Sequence, residues 1–286
     1  MAITSSFPKF CFSAKINFRN LYLYMNKGTA LVTGGSSGIG HALCIRLSCA
    51  GYRVISASRR VEYPRETAGV TQISVDFSDH LSTQCFAQGF IDEYGTPDLL
   101  VNNAGYGAFY EWKNFPKQEI TRQIQVLFLS PVELCRVFAP AMARQGRGVI
   151  VNLSSLATLY PLPYMPLYNA SKAALSSFSE SLMLEYRKNL TIIDFRMGDV
   201  RTEFNNSASK QEDYSKNMRS AWAQINKQLQ SSITADQASE QICSTIRNHK
   251  SGTFFGGGWF HSRFLPNLFR LLPFSLRKEI IFRWYK

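Results

Sequence analysis

Acidic residues are missing from the first part of the chain and scarce in its last part. Residues 1–61 contain eight Lys or Arg and no Asp or Glu, and residues 247–286 contain eight basic residues against Glu279 alone. The formal net charge of +12 therefore belongs to the two ends. Such ends suit either nucleic acid or an anionic membrane surface. No recognised nucleic-acid module is apparent, so nucleic acid is not expected as a partner.

The sequence also lacks long hydrophobic runs, paired cysteines and clustered histidines. Without a run of about 18 uncharged apolar residues, a membrane-spanning helix is not expected. The six cysteines form no C-x-x-C pair, which indicates reduced thiols and a cytoplasmic protein, peripheral at a membrane if the basic ends bind lipid. None of the four histidines has the spacing of a zinc motif, so no metal site is predicted.

Seven short runs rich in β-branched residues alternate with helical patterns along the chain. The predicted strands span 29–33, 53–57, 71–75, 99–102, 148–153, 191–195 and 253–255. This alternation predicts parallel strands joined by right-handed helical crossovers. The expected fold class is α/β, a Rossmann-type doubly wound sheet of seven strands with helices on both faces, and such sheets bind ligands at the carboxyl ends of their strands.

Three segments are expected along the chain. Residues 1–24 contain no acid and form either an organelle-targeting segment or an extension that precedes a true start at Met25. Residues 25–258 form the predicted Rossmann domain. Residues 259–286, the C-terminal tail, mix aromatic and aliphatic residues with Arg and Lys.

A glycine-rich turn, TGGSSGIG at 33–40, follows the first predicted strand and opens a helix. Its glycines let the backbone approach a pyrophosphate, and the helix N-terminus favours the phosphate charge. The turn therefore predicts a bound dinucleotide. The predicted contacts are Gly34, Ser36, Ser37, Gly38, Ile39 and Gly40.

The second predicted strand ends in SRR, where a dinucleotide-binding fold usually places its ribose-binding residue. A carboxylate there holds a free 2′-hydroxyl, but this chain has Ser58, followed by Arg59 and Arg60. Arginine suits a 2′-phosphate because its planar guanidinium donates two parallel charge-assisted hydrogen bonds. The sequence therefore predicts NADP(H), with Arg59 as a phosphate ligand, over two solvated surface arginines.

Two tyrosines lie four residues apart in YMPLYNASK, and only the second, Tyr168, has a lysine four residues further on, Lys172. On a helix these two side chains share a face. The ammonium is expected to lower the pKa of the phenol from its usual value of about 10. The phenol would then exchange a proton with a carbonyl or alcohol oxygen during hydride transfer. Ser155, at the end of a predicted strand, would orient that oxygen.

These motifs occur in the order found in a known family. TGGSSGIG, DF at 76–77, NNAG at 102–105, Ser155 and YNASK at 168–172 resemble the short-chain dehydrogenase/reductase family over residues 27–260. The resemblance implies Tyr168 as catalytic acid/base, Ser155 as the carbonyl-orienting hydroxyl, and Lys172 as pKa tuner and ribose ligand. It also implies further cofactor contacts from Asp76 and Phe77 at the adenine and from Asn103, Ala104, Gly105, Val200 and Thr202 along the cofactor.

Two positions depart from that family's pattern. Leu127 stands where an asparagine usually helps a proton relay to solvent. The relay therefore runs through other waters or through Gln125, or turnover is slow. Met197 stands where a proline usually precedes the glycine that is Gly198 here, and the loss of a proline is expected mainly to loosen the loop.

Two segments are expected on the substrate side. Residues 203–232 are polar and helix-compatible, and resemble a lid that closes on substrate. In the C-terminal tail, apolar residues recur at helical spacing at Leu265, Leu268, Phe269 and Leu272. The tail is expected to pack as a flap, over the site or at the subunit interface of a homo-oligomer, or to lie on a membrane surface, and the two are not exclusive. Both interpretations point to an apolar substrate such as a lipid, sterol or retinoid carbonyl.

The sequence as a whole predicts an NADP(H)-dependent oxidoreductase that interconverts a carbonyl and an alcohol on an apolar small molecule. The alternative is an NADP(H)-binding sensor or scaffold protein, with weak or no turnover and a place at a membrane surface, which Leu127 suggests. Ser155, Tyr168 and Lys172 favour the enzyme, because binding alone needs no proton donor or acceptor.

Overall fold

A parallel sheet of seven strands forms the centre of the protein. The structure is a computed structural model that describes residues 27–61, 69–248 and 250–285, and the predicted extension at 1–24 lies outside them. The strands are β1 Thr29–Thr33, β2 Arg53–Ser58, β3 Val70–Ser74, β4 Leu99–Asn102, β5 Val149–Ser155, β6 Thr191–Met197 and β7 Gly252–Gly256. Their order in the sheet is β7-β6-β5-β4-β1-β2-β3. The predicted Rossmann-type fold is confirmed, and the seven predicted strands have ends within two residues of those observed.

Helices cover both faces of this sheet. They are α1 Gly38–Cys49, α2 His80–Tyr94, α3 Lys117–Ile124, α4 Ser130–Arg144, α5 Pro166–Glu185, α6 Lys216–Gln230, α7 Ala235–Arg247, α8 Leu265–Leu271 and α9 Phe274–Trp284. Short helical turns span Trp112–Asn114 and Leu156–Thr158, and two-residue strands pair Ala108–Phe109 with Ser209–Lys210 and Val200–Arg201 with Ile233–Thr234. Polar residues set several helix starts. Asp79 caps α2 by accepting two backbone hydrogen bonds, and Thr234 with Gln237 forms a capping box at α7.

The core has two layers because successive residues of a strand point to opposite faces of the sheet. In β1, Ala30 and Val32 face the layer that contains α1 and α7, whereas Leu31 faces the layer that contains α2 and α4. The central strands are therefore apolar on both faces, as a covered parallel sheet requires. Because the strands are parallel, the carboxyl ends of β1, β2, β5 and β6 lie along one edge of the sheet.

A π-helical turn, Gln125–Leu129, joins α3 and α4 into one continuous helix, Lys117–Arg144. This helix is long and apolar enough to cross a membrane by length and composition alone. However, 61% of its most apolar window is buried inside the fold. Phe138 and Met142 of α4 lie in the core layer shared with α2, so the helix packs as a core helix.

Candidate active site

One cavity of about 810 Å³ opens at the carboxyl edge of the sheet and contains all the predicted site residues. Seventeen side chains or backbone segments singled out by sequence line it: Gly34, Ser36, Ser37, Gly38, Ile39, Gly40, Arg59, Asp76, Phe77, Asn103, Ala104, Gly105, Ser155, Tyr168, Lys172, Val200 and Thr202. Residues up to 168 positions apart in sequence are therefore neighbours in space. Their chemical roles remain predictions.

The glycine turn is shaped for close backbone approach. Gly34 has a φ of +69°, which favours glycine, and a Cβ on Gly40 would lie 2.2 Å from the Gly34 carbonyl oxygen. The Asn103 side-chain amide fastens this turn to β4 by donating to the carbonyl oxygens of Thr33, at 2.8 Å, and Gly34, at 3.2 Å. The glycines let the turn pack closely on itself and on Asn103, and the start of α1 lines the cavity where a pyrophosphate is predicted to bind.

Cations gather at the end of the cavity predicted to hold the adenosine. Arg59 and Arg60 follow β2, are exposed and line the cavity. Ser58, in the place where a carboxylate usually binds ribose, donates to the Arg60 carbonyl oxygen at 2.8 Å and so stabilises the turn. Burial opposes ionisation of Asp76, but hydrogen bonds from Ser78 and the positive Arg59 keep the pKa of Asp76 below its usual value. Two arginines and one carboxylate are therefore present where the adenosine part of a dinucleotide is predicted to lie.

Ser155 and Tyr168 meet at the carboxyl end of β5. The Ser155 oxygen accepts a hydrogen bond from the Ala157 backbone N–H at 3.1 Å, and its hydroxyl hydrogen-bonds the Tyr168 phenol. Burial raises the pKa of Tyr168, the bond to Ser155 opposes that rise, and the negative Asp199 adds to it. The expectation of a lowered pKa is therefore wrong for the protein's own groups, because burial of the phenol disfavours its charged form. Tyr168 carries its proton at neutral pH and can donate it.

Lys172 lies one helical turn beyond Tyr168 and is buried against β5. Its Nζ donates to the Leu153 carbonyl oxygen at 2.5 Å. Burial lowers the pKa of Lys172 from 10.5 to about 8, and attraction to Asp194 opposes that fall. The ammonium is therefore charged at neutral pH and loses its proton in mildly alkaline solution.

Asp194 is a residue of the site region that the sequence analysis missed. It is fully buried in β6 and accepts hydrogen bonds from Ser154 of β5, from Ser176 of α5 at 2.5 Å, and from Arg196 Nε at 2.8 Å. The carboxylate thus ties β5 to α5, the two elements that carry the predicted catalytic residues. The available signal was an Asp within the apolar strand TIIDFRM, because a buried carboxylate needs partners.

The structure gives an account of both departures from the family pattern. Leu127 lies in the π-helical turn, fully buried, with its Cδ2 atom 2.9 Å from the place of a Cβ on Gly105 and Lys172 Nζ 4.0 Å from the same place. An apolar side chain therefore stands beside Lys172. The proposed relay through Gln125 has no support, because its amide donates to Ser130 at 3.1 Å and the cavity wall contains Val126 instead.

Met197 is buried in the cavity wall rather than loosely held. It is the last residue of β6 and lies in register with Ser155 on one side and with Gly256 on the other. The adjacent Gly198 N–H donates to the Gly256 carbonyl oxygen at 2.9 Å. The end of β6 is thus paired with β5 on one side and with β7 on the other, which orders this segment without a proline.

The far end of the cavity is apolar and is closed by the C-terminal tail. Phe204, from the predicted lid, packs edge-on against Tyr168 with ring centroids 5.7 Å apart. The tail contributes Leu265, Phe269, Ile280, Ile281, Trp284 and Tyr285 to the cavity wall. Phe269 is buried and packs edge-on against Tyr160 at 4.6 Å. The tail therefore has the position of the flap, one of its two sequence-based interpretations.

Asp199 connects the tail to Tyr168. Burial raises the pKa of Tyr285 and Asp199 adds to the rise, as it does for Tyr168. One carboxylate therefore acts on both phenols, and the end of the described chain reaches the predicted reaction centre. Neither Asp199 nor Tyr285 was singled out by sequence, because nothing in the sequence pattern brings residue 285 to residue 168.

Known proteins are similar to this chain in sequence and in fold. A family model described as short chain dehydrogenase matches residues 28–213, more than half of the chain. A 3-ketodihydrosphingosine reductase from Bacteroides thetaiotaomicron is 30% identical over 224 residues, which cover 76% of this chain and 82% of that protein. A probable short-chain type dehydrogenase/reductase, VdlC, from Helicobacter pylori is 27% identical over 254 residues, covering 86% and 93%.

Solved structures give the same result. A short-chain dehydrogenase from Streptomyces avermitilis superposes with a TM-score of 0.75 at 26% identity, covering 90% of this chain and 96% of that chain. A metagenomic short-chain oxidoreductase in complex with NADP superposes with a TM-score of 0.57 at 33% identity, covering 62% and 83%. The motif order, the sheet topology and these matches agree, and this chain therefore belongs to the short-chain dehydrogenase/reductase family of oxidoreductases.

Proposed function

We propose that the protein is an NADP(H)-dependent oxidoreductase that reduces a carbonyl group, or oxidises the matching alcohol, on a substrate with a long apolar part. One observation carries the proposal. A single cavity joins the glycine turn and Arg59 to Ser155, Tyr168 and Lys172, and continues past Phe204 to the C-terminal tail. A dinucleotide and an apolar substrate thus have adjacent places beside one phenol.

The protonation states of the protein groups suit carbonyl reduction. When bound, NADPH supplies the hydride for the carbonyl carbon. The Tyr168 phenol holds its proton at neutral pH and donates it to the carbonyl oxygen, which the Ser155 hydroxyl orients by a hydrogen bond. The Lys172 ammonium, fixed to the Leu153 carbonyl, stabilises the phenolate that remains. In the oxidising direction the same phenolate accepts the alcohol proton.

The choice of NADP(H) over NAD(H) rests on charge. Ser58, Arg59 and Arg60 stand at the end of β2, where a ribose-binding carboxylate would otherwise be, and Arg122 also lines this part of the cavity. A 2′-phosphate gains charge-assisted hydrogen bonds from such groups, whereas a ribose 2′-hydroxyl lacks its usual acceptor. The NADP complex of the metagenomic relative supports the same choice.

The substrate class rests on the far end of the cavity. Aromatic and aliphatic side chains from the lid and the tail form that end, and they offer area for a hydrocarbon chain. The relative from Bacteroides thetaiotaomicron carries the name 3-ketodihydrosphingosine reductase, and that long-chain ketone is the first substrate to test. Sterol and retinoid carbonyls are the next. The six cysteines, which form no C-x-x-C pair, support a cytoplasmic location.

A sensor or scaffold protein that binds NADP(H) with weak turnover is the second candidate. The observation that favours it is Leu127, an apolar side chain beside Lys172 where a polar relay would be expected. The convergence of Ser155, Tyr168 and Lys172 in one cavity favours the enzyme.

A steady-state assay separates the two candidates. NADPH oxidation is followed with 3-ketodihydrosphingosine and with a series of shorter ketones and aldehydes, and NADH is the cofactor control. We expect turnover by the wild type and a loss of about a hundredfold or more in kcat for Tyr168→Phe, because the proton donor is removed while the ring stays. Tyr164→Phe is the matched control, since Tyr164 lies four residues earlier, packs on Phe109 and should keep full activity.

The cofactor assignment has its own variants. Arg59→Gln should raise KM for NADPH about tenfold and leave KM for NADH nearly unchanged, because only the phosphate contact is lost. Arg144→Gln, an exposed arginine at the end of α4, is the control. If NADPH binds tightly but the wild type reduces no substrate of the series above the background rate of Tyr168→Phe, the sensor interpretation replaces the enzyme.

A further inference from the structure

The exposed apolar side chains of the protein are concentrated in the C-terminal tail. Among the described residues, thirteen large apolar side chains are exposed, and eight of them lie between positions 259 and 284. These eight are Trp259, Phe260, Phe264, Leu268, Leu271, Leu276, Phe282 and Trp284. Single exposed apolar residues need no explanation, but a cluster of this size marks an interaction surface.

Four of the eight form a stripe on one helix. Residues 260–271 are continuously helical, and Phe260, Phe264, Leu268 and Leu271 follow one another at spacings of four, four and three. The Phe260 and Phe264 rings stack at 5.4 Å, which places them on the same side. Their exposed fractions are 45%, 49%, 37% and 84% in sequence order.

The other side of this helix belongs to the cavity. Leu265 and Phe269 line it, together with Ile280 and Ile281 of α9. The helix is therefore apolar on two sides, with one side facing the cavity and the other facing outward. A segment that served only as a flap would need only the first of these sides to be apolar.

The segment that carries the outward stripe is rich in basic residues. Residues 247–286 carry eight basic residues and one acidic residue, Glu279, which accepts a hydrogen bond from Arg283 at 2.9 Å. Lys278 is exposed on α9, near Leu276 and Phe282. Aromatic and aliphatic side chains mixed with cations are the composition that binds at the interface of an anionic bilayer.

We propose that the C-terminal tail is a docking surface for a membrane that contains anionic lipids, with the Phe260–Leu271 stripe inserted among the headgroups. An isologous contact with a second copy fits less well, because it would place two strongly positive patches against each other. A bilayer surface meets both properties of the tail, since it takes apolar side chains into its interface and neutralises the cations.

Docking has a consequence that rests on the proposed function. The docked tail also forms the wall of the cavity beside Tyr168, so a long-chain substrate dissolved in the bilayer would enter from the side that faces the lipid. The hydrocarbon part of such a substrate would not have to cross water. Turnover of membrane-dissolved ketone should then depend on docking, whereas turnover of a short ketone in water should not.

Co-sedimentation of the full-length protein with vesicles tests the docking. Vesicles of phosphatidylcholine alone are compared with vesicles of phosphatidylcholine and phosphatidylserine, without cofactor or substrate. We expect binding to the anionic vesicles that weakens as salt is added, and little binding to the neutral ones. Phe264→Ser/Leu271→Ser should reduce the affinity at least about tenfold, because two inserted side chains are lost.

The matched control is Leu81→Ser/Leu184→Ser, which removes two leucines of 65% and 80% exposure outside the tail. It should bind like the wild type, and thermal unfolding should show that both double variants are folded. Lys278→Gln/Arg283→Gln should weaken binding to anionic vesicles only. Protein that stays in the supernatant with anionic vesicles overturns the proposal. So does equal loss in the two serine variants, or a stable dimer that Phe264→Ser/Leu271→Ser dissociates.

The sedimentation result does not depend on the proposed function. A protein that docks but reduces no ketone would leave the docking intact and end the oxidoreductase proposal. A protein that reduces short ketones but never binds vesicles would support the oxidoreductase proposal and end the docking proposal.

Discussion

The predicted catalytic centre and the C-terminal tail line one cavity but are held by different interactions. Around β5 and α5, directional hydrogen bonds dominate: Lys172 to the Leu153 carbonyl, and Ser154 and Ser176 to Asp194. The tail is held largely by ring and aliphatic contacts, such as Phe269 on Tyr160. Hydrogen bonds fix the angle and distance that proton transfer needs, whereas apolar contact is non-directional and accepts varied hydrocarbon shapes. Substitutions in the first region should therefore change kcat, and those in the second should change KM.

The largest effect is expected from Lys172→Met. Removing the buried ammonium leaves the Tyr168 phenolate without a cation, so kcat should fall about a hundredfold or more for short and long ketones alike. Steady-state kinetics on both substrate classes checks this. Lys188 is an exposed lysine in the turn that follows α5, and Lys188→Met should behave like the wild type. An effect limited to KM would break the comparison, because Lys172 would then act in binding alone.

Asp194→Asn should give a smaller, pH-dependent effect. Asp194 attracts the Lys172 proton, so replacing the carboxylate lets the pKa of Lys172 fall below its value of about 8. The charged ammonium exists only below that pKa, so the alkaline fall in kcat for reduction moves to lower pH. A shift of about one unit would cost about tenfold in kcat above pH 8 and little near pH 6.

A pH–rate profile of Asp194→Asn beside Glu180→Gln checks this sign. Glu180 pairs with Arg196 at 2.6 Å, and Asp194 pairs with the same arginine at 2.8 Å. However, half of the Glu180 side chain is exposed, and Asp194 is the carboxylate that acts on Lys172. Its profile should match that of the wild type. An alkaline limb that stays in place in Asp194→Asn contradicts the coupling.

The sequence predicted that Ser155, Tyr168 and Lys172 would lie together far better than it predicted the packing of the tail, for a physical reason. Tyr168 and Lys172 lie at a fixed helical spacing and Ser155 ends a strand, so local geometry alone brings them to one edge of the sheet. In the tail, helical spacing grouped Leu268 with Phe269, but Leu268 is exposed and Phe269 is buried. A helix that is apolar on two sides does not reveal which side packs, because that depends on residues such as Tyr160 that are distant in sequence.

The same limit applies to charge within the catalytic region. The four-residue spacing correctly predicted that Lys172 lies one helical turn from Tyr168. It gave the wrong direction for the pKa of Tyr168, which is raised. The deciding quantity was burial, which depends on the lid and the tail closing over the phenol. Asp194 escaped notice for a related reason, since its partners come from two other elements of the fold.

Phe269→Ala should affect long substrates and spare short ones. The side chain forms part of the wall at the apolar end, and its loss should raise KM for 3-ketodihydrosphingosine about tenfold. For a ketone of a few carbons, which ends before the tail, KM and kcat should stay close to those of the wild type. The short ketone is thus the internal control, and a thermal unfolding curve checks the packing. Equal loss on both substrates would mean that the tail supports the reaction centre itself.

The smallest effect is expected at Leu127, and it alone should increase activity. Leu127→Asn places an amide beside Lys172, where it can hold a water that returns a proton to the lysine after each turnover. One such hydrogen bond is worth about 1 kcal/mol, a factor of about five in kcat. Leu127→Met, which keeps the site apolar, is the control. Faster turnover of the Asn variant in water, with a reduced solvent isotope effect, would identify proton return as the slow step. An unchanged rate would mean that the native chain already returns the proton by another route, and that Leu127 gives no support to the sensor interpretation.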